Sequence, residues 1–239
     1  MCPCPMGINT YTVQQGETLW QLAAKFNTSI DAILSINPGV YPANIIVGTV
    51  IYIPNGVNKV NNKMNLINNM RILWEEHITW TRLTIVSMVF NLPDQALVTN
   101  RLLRNATDMA AALEPFYGKE KASRFGNLIS EHLVIASQLV KAAIAGDNAA
   151  AADAERRWYA NADEIAFFLS SINPKWSRLE WMEMLHEHLA LTKAEAVSFL
   201  TKDYAKGISL FDEIEKQALK MADVMATGII KQFPNEFIC

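Results

Sequence analysis

The 239-residue chain has three cysteines, Cys2, Cys4 and Cys239, each within a few residues of a terminus. An odd count with none in the interior excludes a closed disulfide framework and a cysteine-based zinc site. Two readings stay open: reduced, exposed thiols, or intermolecular disulfides in which Cys239 of one copy bonds Cys2 or Cys4 of another, making the chain a subunit of a cross-linked polymer or homo-oligomer. Charge is also scarce, at 19% of residues, and 21 Lys+Arg stand against 24 Asp+Glu for a net charge of −3. That balance, with no basic run, gives no footprint for nucleic acid. No uninterrupted apolar run approaches the roughly 18 residues of a membrane span, so none is expected and the apolar surplus is assigned to buried cores. The start, Met1-Cys2-Pro3-Cys4-Pro5-Met6-Gly7, has neither a basic n-region nor an apolar h-region. It is therefore read as lacking a signal peptide, which implies cytoplasmic synthesis. Gly-rich phosphate loops, a Gly-x-Ser-x-Gly elbow and a His-Glu-x-x-His pair are all missing, so the expectation is a non-enzymatic protein.

What is present divides near residue 60. Residues 9–54 are punctuated and almost uncharged, with Glu17, Lys25 and Asp31 carrying the charge. Tyr11-Thr12-Val13 reads as a strand and Gln14-Gln15-Gly16 as a turn. Thr18 caps a helix whose apolar face is Leu19, Leu22, Ala23 and Phe26. Ile30, Ile33, Leu34 and Ile36 mark a second short helix stopped by Asn37-Pro38-Gly39, and 47–54 returns as a strand ended by Pro54. The order is βααβ. Residues 1–8 form a Cys/Pro arm, 55–63 a polar linker, 64–234 a helical body and 235–239 a tail.

The residues Tyr11-Thr12-Val13, Gly16-Glu17-Thr18-Leu19-Trp20, Leu22-Ala23, Phe26, Ile33, Asn37-Pro38-Gly39, Val47-Gly48 and Ile51-Tyr52-Ile53-Pro54 together resemble a LysM domain. Cys4-Pro5-Met6-Gly7 resembles the Cys-Pro-x-Gly preface of LysM proteins in spore-forming bacteria. Glu17 stands where the family commonly has Asp, and Tyr52 where a strand cysteine is often found. The resemblance implies binding of N-acetylglucosamine-containing glycan such as peptidoglycan or chitin. It places the groove between Gly16, Glu17, Thr18 and Leu19 on one loop and Asn37, Pro38, Gly39, Asn44, Ile45 and Ile46 on the other. A fold kept only for protein contacts stays open as the alternative.

The body repeats. Glu-His pairs begin at 76, 131 and 187, intervals of 55 and 56 residues. Arg101, Asn105 and Asp108 align with Arg157, Asn161 and Glu164, each 56 later, and more weakly with Glu213, Gln217 and Lys220. The pattern predicts an all-α bundle of six helices in three repeated hairpins, over about 64–91, 94–115, 119–145, 148–171, 175–201 and 204–231. The repeated polar residues share one helix face and are expected to pair in networks. Segments such as Leu73-Trp74, Trp80-Thr81-Arg82, Trp158-Tyr159-Ala160-Asn161 and 228–234 resemble a helical-bundle family of spore-forming Gram-positive bacteria.

His77, His132 and His188 occupy equivalent repeat positions. In a closed bundle they can converge on a transition metal, with Glu76, Glu131, Glu187, Asp108 or Glu164 as carboxylate partners; in a stacked solenoid they form a ladder and never meet. The alternative is hydrogen bonding to a neighbouring Arg, Asn or carboxylate, with no cofactor. His186-Glu187-His188 sets two histidines on opposed sides of a helix, a poor chelate. The expected function is a cell-wall or spore-envelope associated protein that holds peptidoglycan through LysM and uses the bundle for assembly. The alternatives are a metal-binding bundle protein or enzyme tethered by LysM, and a structural polymer joined by the terminal cysteines.

Overall fold

The computed structural model describes residues 7–26, 28–41, 45–55 and 59–237. Cys2, Cys4 and Cys239 lie outside them, as does Asn44. Strands β1 (Gly7–Thr12) and β2 (Val50–Asn55) enclose helices α1 (Leu19–Lys25) and α2 (Ile30–Ser35). The strands pair antiparallel, with Tyr11 opposite Ile51 and Thr12 opposite Val50. The first strand therefore starts at Gly7, inside the expected N-terminal arm, because residues 50–55 offer a ladder that reaches it. Thr18 and Gln21 cap α1 reciprocally: the Gln21 amide donates to Thr18 Oγ1 at 3.3 Å, and the Thr18 amide donates to Gln21 Oε1 at 2.9 Å.

The body follows as α3 (Lys59–Val89), α4 (Gln95–Ala145), α5 (Asn148–Ile172), α6 (Arg178–Leu200) and α7 (Tyr204–Gln232). Helix α3 begins within the span expected as linker. Helix α4 is two helices: Gly118 has φ 76° and ψ 164°, values outside the helical region that glycine adopts without a Cβ penalty. The arms fold back, since a Cβ on Gly126 would stand 2.9 Å from Ala110 Cβ. Six helices in three hairpins result, at nearly the expected boundaries.

Each helix packs on the next, and α7 returns to pack on α3, so the body is a closed bundle and not a solenoid. Its core runs through Leu73, Leu113, Phe125, Trp181, Leu189 and Ile229. An 18-residue window in α4 is apolar enough to cross a membrane by length and composition, a property shared by core helices of water-soluble bundles, and 44% of it is buried here. Helix α1 packs on α4, and the N-terminal core residues Leu19, Leu22 and Ile33 are continuous with the bundle core.

The repeated polar residues pair in the first two copies, with different charged partners in each. Arg101 pairs with Glu76 at 2.9 Å and Arg104 with Asp108 at 3.3 Å. In the second copy Arg157 turns to Asp153 on its own helix and Glu164 pairs with Arg124. In the third, Glu213 and Lys220 are exposed. A solvated face satisfies these groups as well as a partner does, so nothing holds the pattern there.

Candidate functional site: a buried histidine centre and the glycan loops

His77 on α3, His132 on the second arm of α4 and His188 on α6 are 3%, 3% and 2% exposed. They sit on alternate helices of the bundle. The His77 ring centroid lies 6.4 Å from that of His132 and 5.6 Å from that of His188. One nitrogen from each of the three rings lies within 4.8 Å of the others. These three residues can hold a metal ion.

A second residue orients each ring. Asn105 donates through Nδ2 to the Leu73 carbonyl at 2.9 Å and faces His77 Nδ1 with Oδ1 at 3.0 Å. Asn161 repeats this with the Leu128 carbonyl at 3.2 Å and His132 Nδ1 at 3.0 Å. A carbonyl only accepts, so the amide nitrogen must face it and the amide oxygen must face the ring. That oxygen can accept only from a protonated Nδ1. Both rings are thus fixed as the Nδ1–H tautomer, with the Nε2 lone pair turned elsewhere. Gln217 donates to the Met184 carbonyl at 2.6 Å and acts on His188 in the same sense, though more loosely, His188 Nδ1 and Gln217 Oε1 both lacking a close partner. Each accepting carbonyl lies one turn before its histidine, so the three repeats build one motif. The Trp158 indole N–H donates to His132 Nε2 at 3.2 Å.

Burial in apolar surroundings disfavours the imidazolium. It lowers His77 to about 4 and His132 to about 3, the latter helped by His77. His188 is lowered well below its ordinary value by burial and by the other two histidines. All three are neutral at pH 7, the form that binds metal.

The carboxylates considered with them stay apart. Glu131 and Glu187 are exposed, as adjacent helical positions about 100° from a buried one should be. Glu76 pairs with Arg101, Glu164 with Arg124, and Asp108 with Arg104. His186 bonds Asp163 at 2.7 Å through Nε2 and stands edge-on to Tyr159. One turn beyond the triad, Thr81, Ala136 and Thr192 line an apolar cavity of about 260 Å³, as does Trp158. That cavity carries no sequence signature, because its walls come from five of the six helices.

In the N-terminal module the two loops differ. Gly16 is exposed and Glu17 is half-buried, bonded by the Tyr11 hydroxyl at 2.7 Å and the Gln14 amide at 2.9 Å. Asn37 is buried: it donates to the Ile33 and Tyr52 carbonyls and accepts from the Tyr52 amide at 2.7 Å, which pins the second loop to β2. Pro38 and Gly39 are exposed, Ile45 is partly so, and Ile46, Tyr41 and Val47 present apolar surface to solvent. A scan against protein-family models matches residues 11–54 to the LysM domain.

Residues 11–54 are a LysM domain.

The LysM domain indicates binding of N-acetylglucosamine-containing glycan such as peptidoglycan. Searches of curated proteins and of solved structures return no match to the chain. Of the residues assigned to the LysM groove, Thr18 and Leu19 are 5% and 0% exposed and Asn37 is 6%. Thr18 caps α1 and stands by Asp108, Leu19 is core, and Asn37 is a structural pin. Their side chains shape the loops, leaving Gly16, Pro38, Gly39 and Ile46 at the surface. Tyr41, within the second loop but not singled out from the sequence, adds an exposed ring of the kind that stacks on sugar faces.

Proposed function

We propose that this protein associates with the cell wall or spore envelope, held by its LysM domain on peptidoglycan or another N-acetylglucosamine polymer, and that it carries the six-helix bundle as its working part. The observation supporting the tether is the LysM match over 11–54 together with two surface loops that expose backbone, Tyr41 and Ile46. Exposed N–H and C=O groups pair with an acetamido group while apolar side chains cover a sugar face. A single LysM domain binds weakly, so retention on a wall benefits from several copies, whether through self-association or through the terminal cysteines. The bundle's role in assembly rests on its apolar helices and on the analogy to spore-forming bacteria.

The test is sedimentation of the full chain with insoluble peptidoglycan. The chain is expected in the pellet and is expected to be released by soluble N-acetylglucosamine oligomers. Tyr41→Ala with Ile46→Ala should lower retention several-fold without changing the helical circular dichroism. A chain that stays in the supernatant at high peptidoglycan would overturn the reading.

A further inference from the structure

We infer that His77, His132 and His188 bind one divalent transition-metal ion of borderline softness, zinc in the first instance, with a fourth coordination position turned to the apolar cavity. Asn105 and Asn161 commit the Nδ1 atoms of His77 and His132, so the nitrogen each of these two rings has left for the centre is Nε2, while His188 Nδ1 has no hydrogen-bond partner. A cluster of inward lone pairs is mutually repulsive unless a cation or donors sit among them. The donor described there is one indole, Trp158, on His132 Nε2. Zinc–imidazole bonds of about 2.0–2.1 Å require nitrogens roughly 3.4 Å apart. The present spacing of up to 4.8 Å closes to that by small ring rotations.

The Asn contacts are what a metal site needs in its outer shell: an oxygen acceptor on the far N–H that fixes the tautomer and raises the basicity of the ligating nitrogen. If these histidines only set helix register, the Nδ1–Asn bonds of His77 and His132 would suffice, and the three rings would have no reason to bring a nitrogen each within 4.8 Å of the others. Among the described residues no carboxylate belongs to the cluster. Three neutral ligands leave two positive charges uncompensated in an apolar interior, so the fourth ligand is expected to be anionic: hydroxide, or the oxygen head of a small ligand seated in the cavity. Thr81, Ala136 and Thr192, each one turn from its histidine, put that cavity of about 260 Å³ next to the ion, and Trp158 can pass its N–H to the anion.

The experiment uses the full chain, untagged, with Cys2, Cys4 and Cys239 replaced by serine so that thiols do not compete. After chelator treatment it is titrated with Co²⁺. One equivalent is expected to bind with visible absorption of a tetrahedral site, to be displaced by one equivalent of Zn²⁺, and to raise the melting temperature until saturation. Azide should perturb the Co²⁺ spectrum through the open position. His188→Ala should weaken binding beyond the roughly 10–100-fold typical of an outer-shell change, whereas His186→Ala should leave it unaltered. If His188→Ala does not fold, Asn161→Ala serves in its place, with a fall of about 10–100-fold. Substoichiometric binding of Co²⁺ and Zn²⁺, or stoichiometric binding that survives His188→Ala, overturns the metal site. A Co²⁺ spectrum blind to azide overturns the open position. None of these readouts depends on the glycan.

Discussion

At the scale of single residues, the informative unit is a histidine, an amide and a carbonyl, complete in two repeats and looser in the third. Asn161→Ala tests its worth. The Leu128 carbonyl keeps its helical partner, the backbone amide one turn on, so the loss falls on the His132 Nδ1–H, left buried without an acceptor. A stranded buried donor costs about 1–3 kcal/mol. Denaturant unfolding of Asn161→Ala in chelator should show that loss, whereas Glu164→Ala, three residues along and exposed, should stay within about 0.5 kcal/mol. The histidines and the amides were each legible from their repeat of 55 and 56 residues. Hydrogen bonding to a neighbouring Arg, Asn or carboxylate was an open alternative, but which of these each ring meets was not legible. It depends on which faces two antiparallel helices turn to each other, and a repeat common to both helices carries no information on that rotation. Likewise Thr18, Leu19 and Asn37 read as groove residues from the motif, yet motif positions include those that hold loops in shape.

At the scale of elements, breakers and periodicity made the six helices readable: Gly118, Gly146 and Pro174 each stand at or beside a turn. The linker was less readable, because polar Asn and Lys at 59–63 can join a helix when the next residues are strongly helical. Close approach of a turn to a helix is another feature that composition hides. Gly228 on α7 lies under the Trp176 indole, whose N–H donates to the Val224 carbonyl one turn earlier at 3.2 Å. A Cβ on Gly228 would overlap that ring. In an exposed helix Gly→Ala stabilises by up to about 1 kcal/mol. Here the sign reverses: Gly228→Ala should cost about 1–3 kcal/mol as Trp176 is displaced from its site beside Trp181. Thermal unfolding, with Trp fluorescence to follow the ring, distinguishes the two signs.

At the scale of the whole molecule, the LysM domain and the bundle share a core through α1 and α4, and their seam contains a buried acid. Burial pushes Asp108 up to about 6, against the pull of Thr18, Arg104 and Arg101. Its folded value lies above the unfolded one, so folding takes up a proton between about pH 4 and 6 and Asp108 alone favours the native state as pH falls through that window. The three histidines act in the opposite direction. Their folded values lie below the unfolded 6.5, at about 4 for His77, about 3 for His132 and well below for His188. Unfolding therefore takes up three protons that the native chain refuses, and their stabilisation, complete above pH 6.5, is lost as pH falls. Near pH 5 the three histidines outweigh the single Asp108, so unfolding takes up protons on balance and stability falls as pH falls. The metal-free chain should accordingly unfold at much lower denaturant at pH 5 than at pH 7, and His188→Leu should flatten that dependence while Asp108→Asn steepens it. A metal-free stability that is flat or rising from pH 7 to 5 would mean that the triad is hydrated and not a closed centre.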